Sequence, residues 1–307
     1  EEIPKLVGKE HFGYVRGKEA VWNDFTVCMV QTLSQNLKRY QHKLAEYEIV
    51  IVDEADLGDN KTYKSVLERL YNAWCRVGMS GSIYESNLKK DAMKNNNLKK
   101  FFSNPVFTIT KQEMIEKGLS ADLDIRVYSG YRGKYKGADY DDEYERSIIR
   151  SGSREGRILK RVKTNIKRER LPLLVVTRYK RHCEGLHAVI AKANPGRRTA
   201  YIHSGLSGKV RKQILKDFKA GDIEILVATL LIKRGKNFPM LKCIINAASG
   251  DSEEGIIQLM GRGERIGEDK IVTRYEDFYD DGKYLKRHSN HRIRYMQKQG
   301  FDVKLMF

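Results

Sequence analysis

Two short stretches of this chain carry residue types suited to chemistry on phosphates. In Ile49-Val50-Ile51-Val52-Asp53-Glu54-Ala55-Asp56 an apolar run ends in three carboxylates. An aspartate at the tip of a strand can hold Mg²⁺, usually through water, while the metal bridges phosphate oxygens. A neighbouring glutamate can orient and deprotonate an attacking water. In Gln258-Leu259-Met260-Gly261-Arg262-Gly263-Glu264-Arg265 a glutamine and two arginines are spaced four and three apart, which places them on one helix face. A guanidinium is planar, permanently charged and matched to phosphate oxygens, so Arg262 and Arg265 are candidate stabilisers of a phosphoryl transition state. Asp53 is then the candidate metal ligand and Glu54 the candidate general base. Asp56 follows the turn, where it can pair with a basic group from a facing domain. Each stretch also has a plainer reading: a solvated acidic turn, and a basic helix end favoured by the helix dipole.

These groups need a scaffold. Short apolar runs at Ile49–Val52, Arg76–Met79, Leu171–Val176, Thr199–Ile202, Ile223–Ala228 and Lys242–Asn246 are candidate strands, several of them apolar nearly throughout, as in parallel strands covered on both faces. Tyr63, Val66, Leu67, Leu70, Tyr71 and Trp74 follow helical spacing, as do Val210, Ile214, Leu215 and Phe218. Alternating strand and helix predicts an α/β sheet whose ligands sit beyond the carboxyl ends of the strands. Gly78-Met79-Ser80-Gly81-Ser82 ends one such strand, and the hydroxyls of Ser80 and Ser82 can bond the neighbouring carboxylates. A boundary is expected near 118–122, giving domains 1–120 and 121–307. Gly130–Asp142, rich in Gly, Tyr and Lys, reads as a loop insertion.

The chain has 307 residues and a formal net charge of +18, an excess that favours a polyanionic partner, nucleic acid above all. Arg150 to Arg170 is densely basic; a solvated helix face is slightly preferred over a nucleic-acid contact there. No apolar stretch approaches the roughly 20 residues of a membrane span, and no leader sequence is recognisable. Cys28, Cys75, Cys183 and Cys243 lie too far apart for a zinc site, so free thiols in a reducing, cytoplasmic setting are expected.

With these residues in order, the chain resembles the superfamily-two helicases. Asp53–Asp56 is similar to their motif II, Gly78–Ser82 to motif III and Gln258–Arg265 to motif VI. Leu226–Thr229 with Arg234–Pro239 resembles motif V, and Thr26–Leu33 motif Ib. Val176–Arg178 and His203–Gly205 resemble motif IV and the short motif after it. The texture is closest to phage branch-migration DNA helicases of the UvsW type, as in T5-like phages. The resemblance implies two RecA-like parallel-sheet domains that use ATP and Mg²⁺. Asp53 would coordinate the metal, Glu54 act as base, and Gln258, Arg262 and Arg265 approach the γ-phosphate. Gly235 and Asn237 would lie near the ribose, although the family often has aspartate where Asn237 stands. Gln31, Thr32, Arg178, His203, Gly205 and Thr229 would track the nucleic-acid backbone.

One element departs from the family. No Gly-x-x-x-x-Gly-Lys-[Ser/Thr] loop is present; Val7-Gly8-Lys9-Glu10 lacks the first glycine and the hydroxyl. The expectation is a first domain incomplete at its N-terminus, in a truncated chain. Ser-Gly-Ser at motif III and Gln258 at motif VI favour DNA (single-stranded, forked or branched) over RNA. The alternatives are a non-catalytic basic nucleic-acid-binding module, an RNA helicase, or a motor subunit of a restriction or remodelling complex.

Overall fold

The fold was obtained as a computed structural model, which describes residues 3–55, 58, 60–80, 98–103, 106–109, 111–230, 238, 240–251, 255, 256, 259–261 and 272–307. The chain divides into two compact units, Glu1–Thr108 and Ile109–Phe307.

In the first unit the described elements are α1 (Ile3–Val7), β1 (Phe12–Arg16), β2 (Glu19–Val21), β3 (Phe25–Cys28), α2 (Val30–Gln35), α3 (Leu37–Leu44), β4 (Ile49–Asp53), α4 (Lys61–Leu67) and β5 (Cys75–Met79). β1 pairs antiparallel with β2 and parallel with β3. β4 and β5 form a separate parallel pair, with Asp53 level with Met79. The core gathers Val15, Leu33, Tyr40, Leu44, Val66, Leu67 and Leu70. Asn60 starts α4 by accepting the N–H groups of Thr62 and Tyr63, which satisfies donors the helix leaves open. The helical spacing that runs to Trp74 is not realised as one helix. Arg76 donates to the carbonyls of Leu67, Leu70 and Ala73 and so closes the helix end and the turn after it. Tyr71 and Trp74 are left exposed. The expectation of cover on both strand faces also fails here: Val50 and Val52 pack on the core, whereas Ile49 and Ile51 are each 54% exposed.

In the second unit the described elements are α5 (Lys111–Glu116), β6 (Asp122–Ser129), α6 (Tyr140–Tyr144), a π-helical turn (Glu145–Ile149), α7 (Gly152–Lys167), β7 (Leu173–Thr177), α8 (Lys180–Ala193), β8 (Thr199–Ile202), α9 (Gly208–Ala220), β9 (Ile225–Thr229), β10 (Cys243–Asn246), β11 (Val272–Tyr279), α10 (Tyr284–Lys298) and β12 (Val303–Leu305). Seven strands form one sheet in the order β12-β6-β11-β10-β7-β9-β8. Every pairing is parallel, as the α/β expectation requires.

The alternation of side chains along a strand divides the core in two. Leu174, Val176, Leu226, Ala228 and Ile244 pack with α9 and α10 through Leu215, Phe218, Tyr295 and Met296. Leu173, Val175, Ile225, Val227 and Ile245 pack with α7 and α8 through Ile158, Val162, Cys183, Leu186 and Ile190. Each fully buried aliphatic side chain contributes about 1.5–3 kcal/mol. That double cover explains why β7, β9 and β10 are apolar up to their last residues, Thr177, Thr229 and Asn246.

Among the described strands, β1, β2 and β3 of the first unit and β6, β11 and β12 of the second escaped the sequence reading. β11 is buried from Thr273 to Phe278 although it reads Thr-Arg-Tyr-Glu-Asp-Phe. Its charges are neutralised in place. Arg161 Nη2 lies 2.6 Å from Glu276, and Arg292 Nε donates to Asp277 at 2.9 Å. Arg274 lies 2.6 Å from Asp124 on β6, and Arg154 lies 2.7 Å from Asp280 just beyond β11. The basic segment Arg150–Arg170 is therefore not simply a solvated face, because Arg154 and Arg161 turn inward to these carboxylates.

A second buried device joins the Gly130–Asp142 segment to the C-terminal helix. Glu143, fully buried, accepts the N–H groups of Lys283, Tyr284 and Leu285 at 3.0, 2.9 and 2.8 Å. A carboxylate there satisfies the open donors at the start of α10 and complements its dipole.

Candidate functional site

The strand-end residues of the second unit form a level row. Thr177 is in register with Thr229, and Ile202 with Ala228. Because β7, β8 and β9 are adjacent and parallel, Arg178, Thr229 and the His203–Gly205 loop lie along one carboxyl edge of the sheet.

Arg178 leaves the end of β7 with its side chain braced by aromatic groups. Its guanidinium carbon is 4.8 Å from the centroid of the Tyr140 ring and 5.4 Å from that of Tyr179. Nε donates to Tyr179 Oη at 3.1 Å, and Tyr179 Oη in turn donates to Asp141. Burial works against the charge of Arg178. The bond to Tyr179 and the field of Tyr140 and Asp141 outweigh it and raise the pKa above the ordinary arginine value. The cation is thus both preserved and held in direction, which suits a fixed phosphate contact. Tyr140 is itself anchored by donating to the carbonyl of Ser249 at 3.2 Å.

His203 is 4% exposed and acts on the loop that follows it. Its Nδ1 accepts the N–H of Gly205 at 3.0 Å, which leaves Nε2–H to donate to Glu184 at 2.7 Å. A Cβ at Gly205 would come within 2.9 Å of the His203 ring, so glycine is required for this approach. The exposed residues of the motif are Ser204 and Gly205, and the imidazole is buried. Thr229 is 8% exposed at its strand end.

In the first unit, Asp53 closes β4 and its Oδ1 accepts the N–H of Glu54 at 2.9 Å. Glu54 has φ 54°, the left-handed region that a non-glycine residue adopts at a cost and often at functional positions. Both side chains are exposed. Ala55, by contrast, is fully buried, and a Cβ on Gly78 would come within 3.0 Å of it and 2.9 Å of Phe102. Gly78 therefore lets the chain turn sharply after Asp53. Ser80 follows the partner strand one residue beyond the Asp53–Met79 pair. Among the described residues no group of three or more potential ligands gathers as a metal cage. A lone exposed aspartate nevertheless fits Mg²⁺, which keeps most of its waters and takes one or two carboxylates plus phosphate oxygens.

Gln31 is exposed on α2, one residue beyond its start. Thr32 beside it is 6% exposed and its Oγ1 accepts the N–H of Gly17 at 2.9 Å, so its hydroxyl is spent on holding the β1–β2 turn. Asp56, Ser82, Gly235, Asn237, Gln258, Arg262 and Arg265 lie outside the described residues. Tyr140, Tyr179 and Glu184, which hold Arg178 and His203, were missed by sequence reasoning. Tyr140 alone had a signal, the tyrosine density of the segment read as an insertion; Tyr179 and Glu184 had none.

Residues 157–267 match the family of the helicase conserved C-terminal domain. This span includes the whole strand-end row and the segment carrying Gln258, Arg262 and Arg265. The pre-mRNA-splicing ATP-dependent RNA helicase PRP28 of Yarrowia lipolytica is 31% identical over 112 residues, covering 36% of this chain and 19% of that protein. UvrABC system protein B of Chlorobaculum tepidum is 31% identical over 144 residues, covering 43% of this chain and 20% of that one. The chain thus spans about a fifth of the length of these relatives. Among solved structures, S. cerevisiae Dbp5 bound to RNA and ADP BeF3 superposes with a TM-score of 0.64 at 15% identity, covering 99% of this chain and 72% of that chain. At such identity the likeness is one of fold.

Proposed function

We propose that this chain carries the working parts of an ATP-dependent nucleic-acid helicase or translocase, with DNA as the track. The observation that carries the reading is the level row of Arg178, the Ser204–Gly205 backbone and Thr229 on one carboxyl edge, within the stretch that matches the helicase C-terminal domain. A braced guanidinium and an exposed loop suit phosphate contacts, which fix position without reading sequence.

In this reading Asp53 holds Mg²⁺, which would neutralise charge on the bound ATP phosphates. Glu54 accepts the proton of the attacking water from its exposed, strained turn. Gln258 and Arg262 contact the γ-phosphate, and Arg265 stabilises the charge that develops on it. Gly235 and Asn237 border the ribose, while Asp56, Ser80 and Ser82 link the nucleotide to the neighbouring strand tip. Gln31 joins the backbone contacts, and Thr32 supports them from beneath. The branch-migration subtype remains part of this proposal and rests on the sequence motifs alone.

An RNA track is the second reading. It is favoured by the literal Asp-Glu-Ala-Asp and by the 31% identity to an RNA helicase.

The test is ATP hydrolysis by the full-length protein with forked DNA, single-stranded DNA and RNA, alongside Glu54→Gln. DNA-stimulated turnover that Glu54→Gln lowers at least 10³-fold is expected, within the range that positioned bases and fixed charges supply together. Stimulation by RNA alone moves the assignment to RNA. A protein that binds nucleic acid and never hydrolyses ATP reduces it to a binding module.

A further inference from the structure

The strongest feature that the proposed motor leaves unused is the outer face of α10. The inner face is committed to the core through Leu285, His288, Ser289, Arg292, Tyr295 and Met296. Opposite it, Lys283, Lys286, Arg287, Asn290, His291 and Arg294 line a shallow concavity of about 450 Å³. Lys283, Lys286, Arg287 and Arg294 are exposed.

These four cations differ from most exposed arginines of the second unit. Arg146, Arg150, Arg181, Arg197 and Arg198 each pair with a carboxylate. Among the described residues no carboxylate pairs with Lys283, Lys286, Arg287 or Arg294. Among the described residues, two acids close in sequence or in contact with α10 are engaged elsewhere: Asp281 with Arg132, and Asp251 with His288. The helix N-terminus does not attract the anion, because Glu143 already occupies it. Among the described residues, what remains is concentrated side-chain charge with no carboxylate paired to it.

We propose that this face is a second contact for nucleic acid and that it holds the phosphate backbone of duplex DNA. The inference rests on the motor reading and adds to it a grip on the unopened duplex. Lys283 and Arg294 are separated by eleven residues, about 16 Å along the helix. Over that length a duplex offers about ten phosphates and a single strand about five. Surfaces that hold single strands stack bases on free aromatic rings. Here the aromatic side chain in reach, Tyr284, already has Lys283 Nζ and the Arg287 guanidinium over its ring at 4.9 and 5.8 Å. Its hydroxyl donates to the carbonyl of Ala138. α10 leaves the same carboxyl edge that carries Arg178, since β11 is parallel to β7 through β10. A duplex on this face would therefore lead toward the strand-end row.

The test measures affinity by fluorescence anisotropy with the full-length protein, for duplex and single-stranded DNA of equal length, between about 50 and 200 mM salt. The variants are Lys286→Gln/Arg287→Gln/Arg294→Gln, the charge-keeping Lys286→Arg/Arg287→Lys/Arg294→Lys, and Arg197→Gln as a paired-arginine control. Three lost contacts should flatten the log–log salt slope for duplex by about 2.7 and weaken duplex binding roughly 10- to 100-fold at about 0.1 M salt. The single-strand slope, the charge-keeping variant and the control should stay at wild type. An unchanged duplex slope, an equal loss for single strands, or an effect on duplex RNA without one on DNA overturns the proposal. Wild-type protein that binds no nucleic acid overturns the motor reading with it. If wild type binds DNA and the glutamine variant behaves identically, only the inference about α10 falls.

Discussion

Replacing Glu143 with glutamine isolates the join between the 130–144 segment and α10. The carboxylate accepts four backbone N–H groups. Oε2 takes Gly137 and Lys283 at 3.2 and 3.0 Å, and Oε1 takes Tyr284 and Leu285 at 2.9 and 2.8 Å. Glutamine keeps the shape but offers one acceptor, and its NH₂ faces the two donors the other oxygen served. One N–H of a buried residue, Gly137 or Leu285, and one half-buried N–H, of Lys283 or Tyr284, are left unmatched, at about 1–3 kcal/mol each. Loss of the negative charge at the helix start adds about 0.3–1 kcal/mol. The expected loss is about 3–5 kcal/mol, a large part of a domain stability of about 5–15 kcal/mol. Both tryptophans, Trp22 and Trp74, lie in the first unit, so fluorescence follows that unit and far-UV circular dichroism must follow the second. In urea, the dichroism transition should move to lower denaturant while the tryptophan transition stays in place. A dichroism transition within about 1 kcal/mol of wild type would refute the view that Glu143 carries this junction.

Three further outcomes follow from the site and its surroundings. Arg178→Lys keeps the charge but loses the stack on Tyr140 and the bond to Tyr179, so nucleic-acid affinity should fall about 5- to 30-fold with little change in salt slope; an unchanged anisotropy titration would deny Tyr140 and Tyr179 a positioning role. Gly205→Ala brings a Cβ against the His203 ring and should weaken binding while costing about 1 kcal/mol on a thermal melt; normal binding would detach that loop from the interface. Burial, with the Arg154 charge adding, lowers the His182 pKa to about 3, against about 6.5 unfolded, so the unfolded chain takes the proton first and stability is lost as pH falls from about 6.5 toward 3. This amounts to about 3 kcal/mol at about pH 4.5; His182→Asn should flatten that acid limb, and an unaltered pH profile would sink the assignment.

The strands that sequence reading located are those whose residues serve one purpose. Leu173–Val176 and Ile225–Ala228 are apolar because both faces are covered, and their ends point to the candidate edge by topology alone. Arg178 and His203 were named through the resemblance to the helicase motifs, and each follows directly on a strand, β7 and β8. β11 was not legible because its polar residues are core residues. Glu276 and Asp277 are buried only because Arg161, far away in sequence, and Arg292, on the following helix, meet them. The same pairing hid the inward turn of Arg154 and Arg161 inside a run that looked uniformly basic. Tyr140 was unreadable for a related reason: its partner is the guanidinium of Arg178, and no local pattern announces a contact across that separation.

The strand order has a consequence for how the second unit is made. β6, its first strand, lies between β11 and β12, its last two described strands. A nascent chain that has reached β10 therefore holds β6 with both hydrogen-bonding edges open and Arg154 without Asp280. Such non-local closure is slow, because loop entropy is lost before the contacts form. Until residues 272–305 emerge from the ribosome, β6 offers an unpaired edge to any neighbouring strand. Chaperone dependence during synthesis, and aggregation of chains ended before β11, are the cellular signature that this topology implies.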